Sequence, residues 1–109
     1  MATIIQKIFE DLYKVKLTIK NPNDLMLNNK KVGGILTQSK VENGITKFLV
    51  IGIGINTCKI HFSEDIKQIA TSIKKEFNTS IDRLKFIAEF CNRFENYLVD
   101  NEILYKERN

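Results

Sequence analysis

The sequence predicts an α+β fold: an antiparallel sheet of about four strands with helices on one face. Three observations carry this reading. Apolar residues recur at helical spacing near both ends of the chain. Between them they alternate with polar residues or run continuously, as in strands. The middle is punctuated by Asn-rich and Asn-Gly turns. A chain of 109 residues fits one domain, spanning 1–109, that can bury a real core.

The elements follow in order. Ile4, Ile5, Ile8, Phe9 and Leu12 make an apolar stripe on a helix over residues 2–13. Val15, Leu17 and Ile19 then alternate with Lys16, Thr18 and Lys20, which is strand periodicity. Asn21-Pro22-Asn23-Asp24 breaks that strand, because proline fixes φ and restricts the residue before it. Leu25 to Leu27 is a short strand, and Asn28-Asn29-Lys30 turns it back into a strand over 31–41. Glu42-Asn43-Gly44 marks a second hairpin. The strand that follows, 46–55, is apolar on both faces for most of its length, which predicts a central place in the sheet. Residues 57–68 read as an irregular excursion, and 70–77 as a short helix ending at Asn78. The last helix starts at Ser80 or Ile81 with Asp82 favourable in its first turn. Leu84, Ile87, Ala88, Cys91, Phe94 and Leu98 form its expected buried face.

Composition narrows the function classes. Hydrophobic residues at 43% and charged residues at 28% are ordinary for a globular domain. No apolar run reaches the roughly 18 residues of a membrane span, and no secretory signal opens the sequence. The net charge is +4, but the basic residues are dispersed, with small doublets at Lys30-Lys31 and Lys74-Lys75. A nucleic-acid binder more often gathers them on one face, so nucleic acid is an unlikely partner. A small basic domain that binds RNA stays open as the reading that needs no family. Cys58, Cys91 and His61 lack the spacing of a zinc site or disulfide framework, and no metal ligands are assigned. Two reduced thiols suit a cytoplasmic protein.

Four groups of residues invite a chemical reading. Asn23 and Asp24 either punctuate a turn or present an amide and a carboxylate to a ligand. Lys31 precedes Val32-Gly33-Gly34, where missing side chains let another molecule approach the backbone. A lysine beside such a gap is a point charge for phosphate or carboxylate, or simply a solvated hairpin residue. Gly52 and Gly54 leave one strand face bare for a planar group, unless a helix packs closely there. They form no dinucleotide or phosphate loop, since position 57 is Thr and no βαβ unit surrounds them. Asn56 ends the strand, where its amide either reads an adenine edge or completes a turn.

The order of these segments resembles the biotin protein ligase family. Its adenylate-forming domain carries a Pro-Asn-Asp turn, then a lysine, a small residue, Gly, Ile and Leu, then a Gly-x-Gly-Ile-Asn strand end. Here these are Pro22-Asn23-Asp24, Lys31-Val32-Gly33-Gly34-Ile35-Leu36 and Gly52-Ile53-Gly54-Ile55-Asn56. The resemblance implies ATP-dependent formation of biotinoyl-AMP and transfer of biotin to a lysine of a biotin carboxyl carrier domain. It implies that Lys31 meets the biotin carboxylate and the α-phosphate. Gly33, Gly34, Gly52 and Gly54 would line the ligand path, Asn56 would meet adenine, and Asn23 and Asp24 would shape the nucleotide and Mg2+ side. ATP, biotin and Mg2+ are the expected small molecules. The departures are Asn21 in place of the usual aromatic residue, and the missing basic glycine-arginine loop that closes over the ligand. The expectation is therefore the C-terminal half of a biotin protein ligase or lipoate ligase-like catalytic domain. It would work with a chain supplying the N-terminal half, or as a homo-oligomer. The alternative is a catalytically dead relative serving as a binding or dimerisation module.

Overall fold

The computed structural model describes residues 1–20 and 22–101. Asn21, which opens the predicted turn, lies outside them. A helix α1, Ala2–Tyr13, leads into strands β1 (Thr18–Lys20), β2 (Asp24–Leu27), β3 (Lys30–Glu42) and β4 (Ile45–Ile55). Helices α2 (Ile73–Phe77) and α3 (Arg83–Asp100) complete the order. The strands pair antiparallel in the sequence β1-β2-β3-β4. This is the four-stranded antiparallel sheet that the sequence predicts.

Both hairpin turns follow from their residues. Asn28 and Asn29 have φ of 52° and 63°, and Asn43 and Gly44 have 52° and 75°. Two successive residues at positive φ give the mirror-image turn whose twist matches that of paired strands. Asn and Gly adopt this region most readily. The same preference ends α2, where Asn78 takes a left-handed conformation.

Ile5, Ile8 and Phe9 of α1 are fully buried. Ile5 and Phe9 pack with Val15, Leu17, Leu25, Leu27, Val32, Ile35 and Ile73. Ile51, Ile53 and Ile55 of β4, with Phe86 and Phe90 of α3, border this core. The helices thus cover one face of the sheet. Arg93 fastens α3 to α1 through Asp11 at 2.9 Å and is itself steadied by Glu89 at 2.7 Å.

Four expectations need correction. Val15 and Leu17 are buried but precede the strand, which covers only Thr18–Lys20. The short helix begins at Ile73, not at residue 70. Ala70 instead bridges Lys31, and Ser72 caps the helix by accepting from the Lys75 N–H at 3.0 Å. β4 is an edge strand rather than a central one, with only β3 beside it among the described residues. Its apolar run misleads because two members are glycines, and because Phe48 and Val50 lie where no helix reaches. In the first turns of α3 the packed face is also rotated by one residue, about 100°, while Phe94 and Leu98 of the expected face are half-buried. Phe86 rests on Phe9 with ring centroids 5.1 Å apart, while Leu84 and Ile87 are 80% and 55% exposed.

Candidate functional site

The face of the sheet turned away from the helices carries a groove of about 490 Å3. It is lined by Asp24, Lys31, Gly34, Leu36, Gly52 and Gly54. Register explains the gathering. Gly34 pairs with Gly54, and Leu36 with Gly52, so their side-chain positions share one face. Their neighbours Ile35, Ile53 and Ile55 turn to the core.

Simple alternation would place Lys31 with Gly33, on the face opposite Gly34. A β-bulge changes this. Leu25 pairs with Gly33 but Met26 pairs with Lys31, leaving Val32 as the extra residue. Val32 is fully buried, and Lys31 is shifted to the outer face with Asp24 and Gly34. The backbone of Lys31 is then held by the excursion before α2. Its N–H donates to the Ile69 carbonyl at 2.7 Å, and its carbonyl accepts from Thr71 at 2.9 Å. The ammonium extends over the bare strand and meets Asp24 at 3.2 Å. The two side chains are 54% and 40% exposed, so the pair is weak and opens readily to a competing anion.

The glycines divide into two kinds. A Cβ at Gly33 would strike the Gly54 carbonyl oxygen, so this glycine is demanded by strand packing. A Cβ at Gly54 would meet nothing within 4 Å, and one at Gly52 only the Leu36 carbonyl oxygen at 3.7 Å. Neither has the positive φ that favours glycine. They leave a bare floor with no helix on it. Gly34 is intermediate: a Cβ there would touch the Lys31 side chain, with Cε at 3.4 Å and Nζ at 3.5 Å. Its absence gives the ammonium room to lie across the strand.

The other predicted residues are placed differently. Asn23 borders the groove with its carbonyl, which accepts from Ile35 N–H at 3.0 Å. Its side chain is solvent-facing, without a hydrogen bond among the described residues. Asn56 stands outside the groove and staples β4 to its surroundings. Its N–H donates to Val32 at 2.8 Å, its carbonyl accepts from Ile73 at 3.0 Å, and its amide donates to the Thr71 carbonyl at 3.2 Å. Gly33 faces the strand partner instead of the groove. Leu36, exposed at the groove, and Thr71, behind Lys31, escaped the sequence reading. The Leu36 position follows from parity with Gly34; Thr71 carried no local signal. Cys58 and Cys91 are exposed, and no cluster of metal-binding side chains exists among the described residues.

The domain thus carries helices on one face of an antiparallel sheet and a lysine beside a glycine floor on the other. The chain belongs to the biotin/lipoate A/B protein ligase family, whose family model matches residues 1–56. It is similar to the bifunctional ligase/repressor BirA of Bacillus subtilis, 35% identical over 103 residues. That match covers 89% of this chain and 31% of BirA, so the chain spans about a third of that relative's length. Biotin–protein ligase 2 of Arabidopsis thaliana is 34% identical over 87 residues, covering 72% of this chain and 23% of the plant protein. Among solved structures, the apo biotin protein ligase of Aquifex aeolicus superposes with a TM-score of 0.73 at 26% identity. The superposition covers 90% of this chain and 42% of that one. The same ligase in complex with biotin and ATP gives a TM-score of 0.71, over 88% and 39% of the two chains.

Proposed function

We propose that this chain supplies the lysine-bearing half of a biotin protein ligase site and acts with a complementary polypeptide that closes over the ligand. The observation that supports the reading most is Lys31 held over the unfilled strand face of Gly34, Gly52 and Gly54. Nothing in the packing of Gly52 or Gly54 calls for glycine, whereas a flat ligand laid on the sheet does.

In the proposed reaction a biotin carboxylate oxygen attacks the α-phosphorus of ATP and pyrophosphate leaves. Charge gathers on the α-phosphoryl oxygens, and a fixed ammonium nearby stabilises that state more than the separated reactants. Lys31 carries this role, moving from Asp24 to the reacting anions. The amine of a carrier-protein lysine then attacks the acyl carbon of biotinoyl-AMP, and AMP leaves. Among the described residues Asp24 is the one carboxylate lining the groove, and it would hold a Mg2+ arriving with the nucleotide phosphates, whose charge the ion partly neutralises. Asn23, with a free amide at the rim, is placed to meet the nucleotide.

The test is calorimetric titration of biotin, ATP and biotinoyl-AMP into the chain alone and into its mixture with a complementary half. Binding of biotinoyl-AMP in the mixture, weakened by roughly a hundredfold in Lys31→Ala, is the expected result. Absence of binding in every mixture overturns the reading. A catalytically dead relative kept as a binding or dimerisation module is the second reading, favoured by exposed Val41, Ile45, Phe48, Leu49 and Val50 on the far hairpin. It predicts self-association with no affinity for biotinoyl-AMP.

A further inference from the structure

Lys31 stands beside a β-bulge, where the strand ladder alone does not fix it. It pairs with Met26 of β2, while Val32 next to it is left without a partner on that strand. Residues 69–71, which belong to no helix or named strand, complete its backbone bonding. Ile69 accepts from its N–H at 2.7 Å, and the Thr71 N–H donates to its carbonyl at 2.9 Å. A segment of that kind holds the lysine only as firmly as it is held itself.

Thr71 is fully buried, and each of its polar groups is bonded. Its N–H serves Lys31, and its carbonyl accepts from the Asn56 amide at 3.2 Å. Its hydroxyl donates to Oε1 of Glu76 on α2 at 2.7 Å. The second oxygen of that carboxylate, Oε2, accepts from the Asn28 side-chain amide at 2.9 Å. Asn28 belongs to the β2–β3 turn, three residues before Lys31. The carboxylate therefore closes a ring: Asn28, Glu76, Thr71, Lys31, and back along the chain to Asn28. Lys30 and Lys75 lie near enough to act on its charge, yet both of its hydrogen bonds come from neutral donors. Bonds of this kind to an ionised carboxylate are stronger than those between neutral groups.

We infer that Glu76 is a positioning residue for Lys31: its carboxylate locks the lysine's backbone and so keeps the ammonium over the glycine floor while the adenylate forms. Glu76 does not line the groove, so it acts through Thr71 and the turn and not on the ligand. Adenylate formation enters from the ligase reading above, on which this part of the inference rests. A misplacement of about 1 Å at a reacting group can slow a reaction by roughly a hundredfold, which makes a backbone lock behind the lysine worth keeping.

The experiment has two arms. In the isolated chain, amide hydrogen exchange is followed by NMR in Glu76→Ala, Thr71→Val and Thr71→Ser. The Lys31 N–H exchanges roughly tenfold faster in the first two and as in the parent in Thr71→Ser, which keeps the hydroxyl. The amides of Ile8 and Phe9 in α1 change by less than about threefold. Should Glu76→Ala fail to fold, Asn28→Gly removes one of its two bonds while suiting the turn, and takes its place. In the mixture with a complementary half, Glu76→Ala lowers kcat for biotinoyl-AMP formation by roughly tenfold and leaves KM for biotin and ATP within about twofold. Thr71→Ser again matches the parent. A Lys31 amide that exchanges at the parent rate overturns the inference, and so does a loss shared equally with α1, or a kcat that stays put. A parent mixture that makes no biotinoyl-AMP counts instead against the ligase reading, because the exchange arm reads the lock without any ligand.

Discussion

The β3–β4 ladder passes through two environments. Between Gly33 and Ile35 its inner face is sealed by α1 and the core, and Val32 and Ile35 are buried. From Thr37 to Leu49 the same two strands run beyond the helices, and on that same face Thr37, Ser39 and Leu49 are exposed. Backbone pairing continues through both, from Gly33↔Ile55 to Glu42↔Ile45. What differs is the cover, so the hydrogen-bonded ladder alone does not make a core. The chain is correspondingly extended, with a radius of gyration of 16.1 Å against about 13 Å for a packed domain of this length.

The sharpest way to break the comparison is one truncation in each region. Phe9→Ala removes a fully buried ring that meets Phe86 and Tyr13, and unfolding free energy falls by about 3–5 kcal/mol. Leu49→Ala on the exposed arm changes it by less than about 0.5 kcal/mol. Urea titration of both variants measures the difference. Equal losses would mean that the arm is packed in solution.

The glycines give a smaller and more pointed contrast. Gly33→Ala forces a methyl group into the Gly54 carbonyl, costing about 1–3 kcal/mol. Gly54→Ala meets open space and leaves stability within about 0.5 kcal/mol of the parent. Its effect belongs to the ligand: if the bare floor accepts biotinoyl-AMP, the added methyl weakens binding in the assembled protein while the melting curve stays put. A Gly54→Ala variant that is destabilised and still binds would reverse the assignment of the two glycines.

Much of this was legible because it depends on local chemistry. Asn28-Asn29 and Asn43-Gly44 specify their turns through φ alone, and Ile5, Ile8 and Phe9 specify a helix face through period. Lys31 was legible as a residue but not as a position. The bulge at Val32, set by pairing between β2 and β3, decides which face the lysine reaches. Pairing order likewise made β4 an edge, something that its apolar composition cannot reveal. On α3 two apolar stripes compete, and only the location of α1 selects Phe86 and Phe90 over Leu84 and Ile87. Asn56 stayed open for a related reason: an amide able to read a base is equally able to hold a carbonyl, here that of Thr71. Asn56→Ala removes that bond and should lower stability by about 1 kcal/mol, measured by thermal melting.

The smallest expected effect compares Glu76 of α2 with Asp65 of the segment leading to it. Glu76 accepts from Thr71 at 2.7 Å and from Asn28 at 2.9 Å, and these two bonds hold its pKa below the ordinary glutamate value. They tie α2 to the β2–β3 turn, beside the backbone that fixes Lys31. Asp65 is also lowered, first by Ser63, but it is wholly exposed and serves only its own turn. A carboxylate whose folded pKa is depressed contributes stability above its unfolded pKa, and that contribution disappears as pH falls through the folded value. Glu76→Gln should therefore melt below the parent at pH 7, with the gap closing as pH drops below about 4. Asp65→Asn should show no measurable gap at either pH, because a fully solvated turn bond exchanges freely with water. A gap for Asp65→Asn as large as that for Glu76→Gln would show that the excursion is packed as firmly as the clamp behind Lys31.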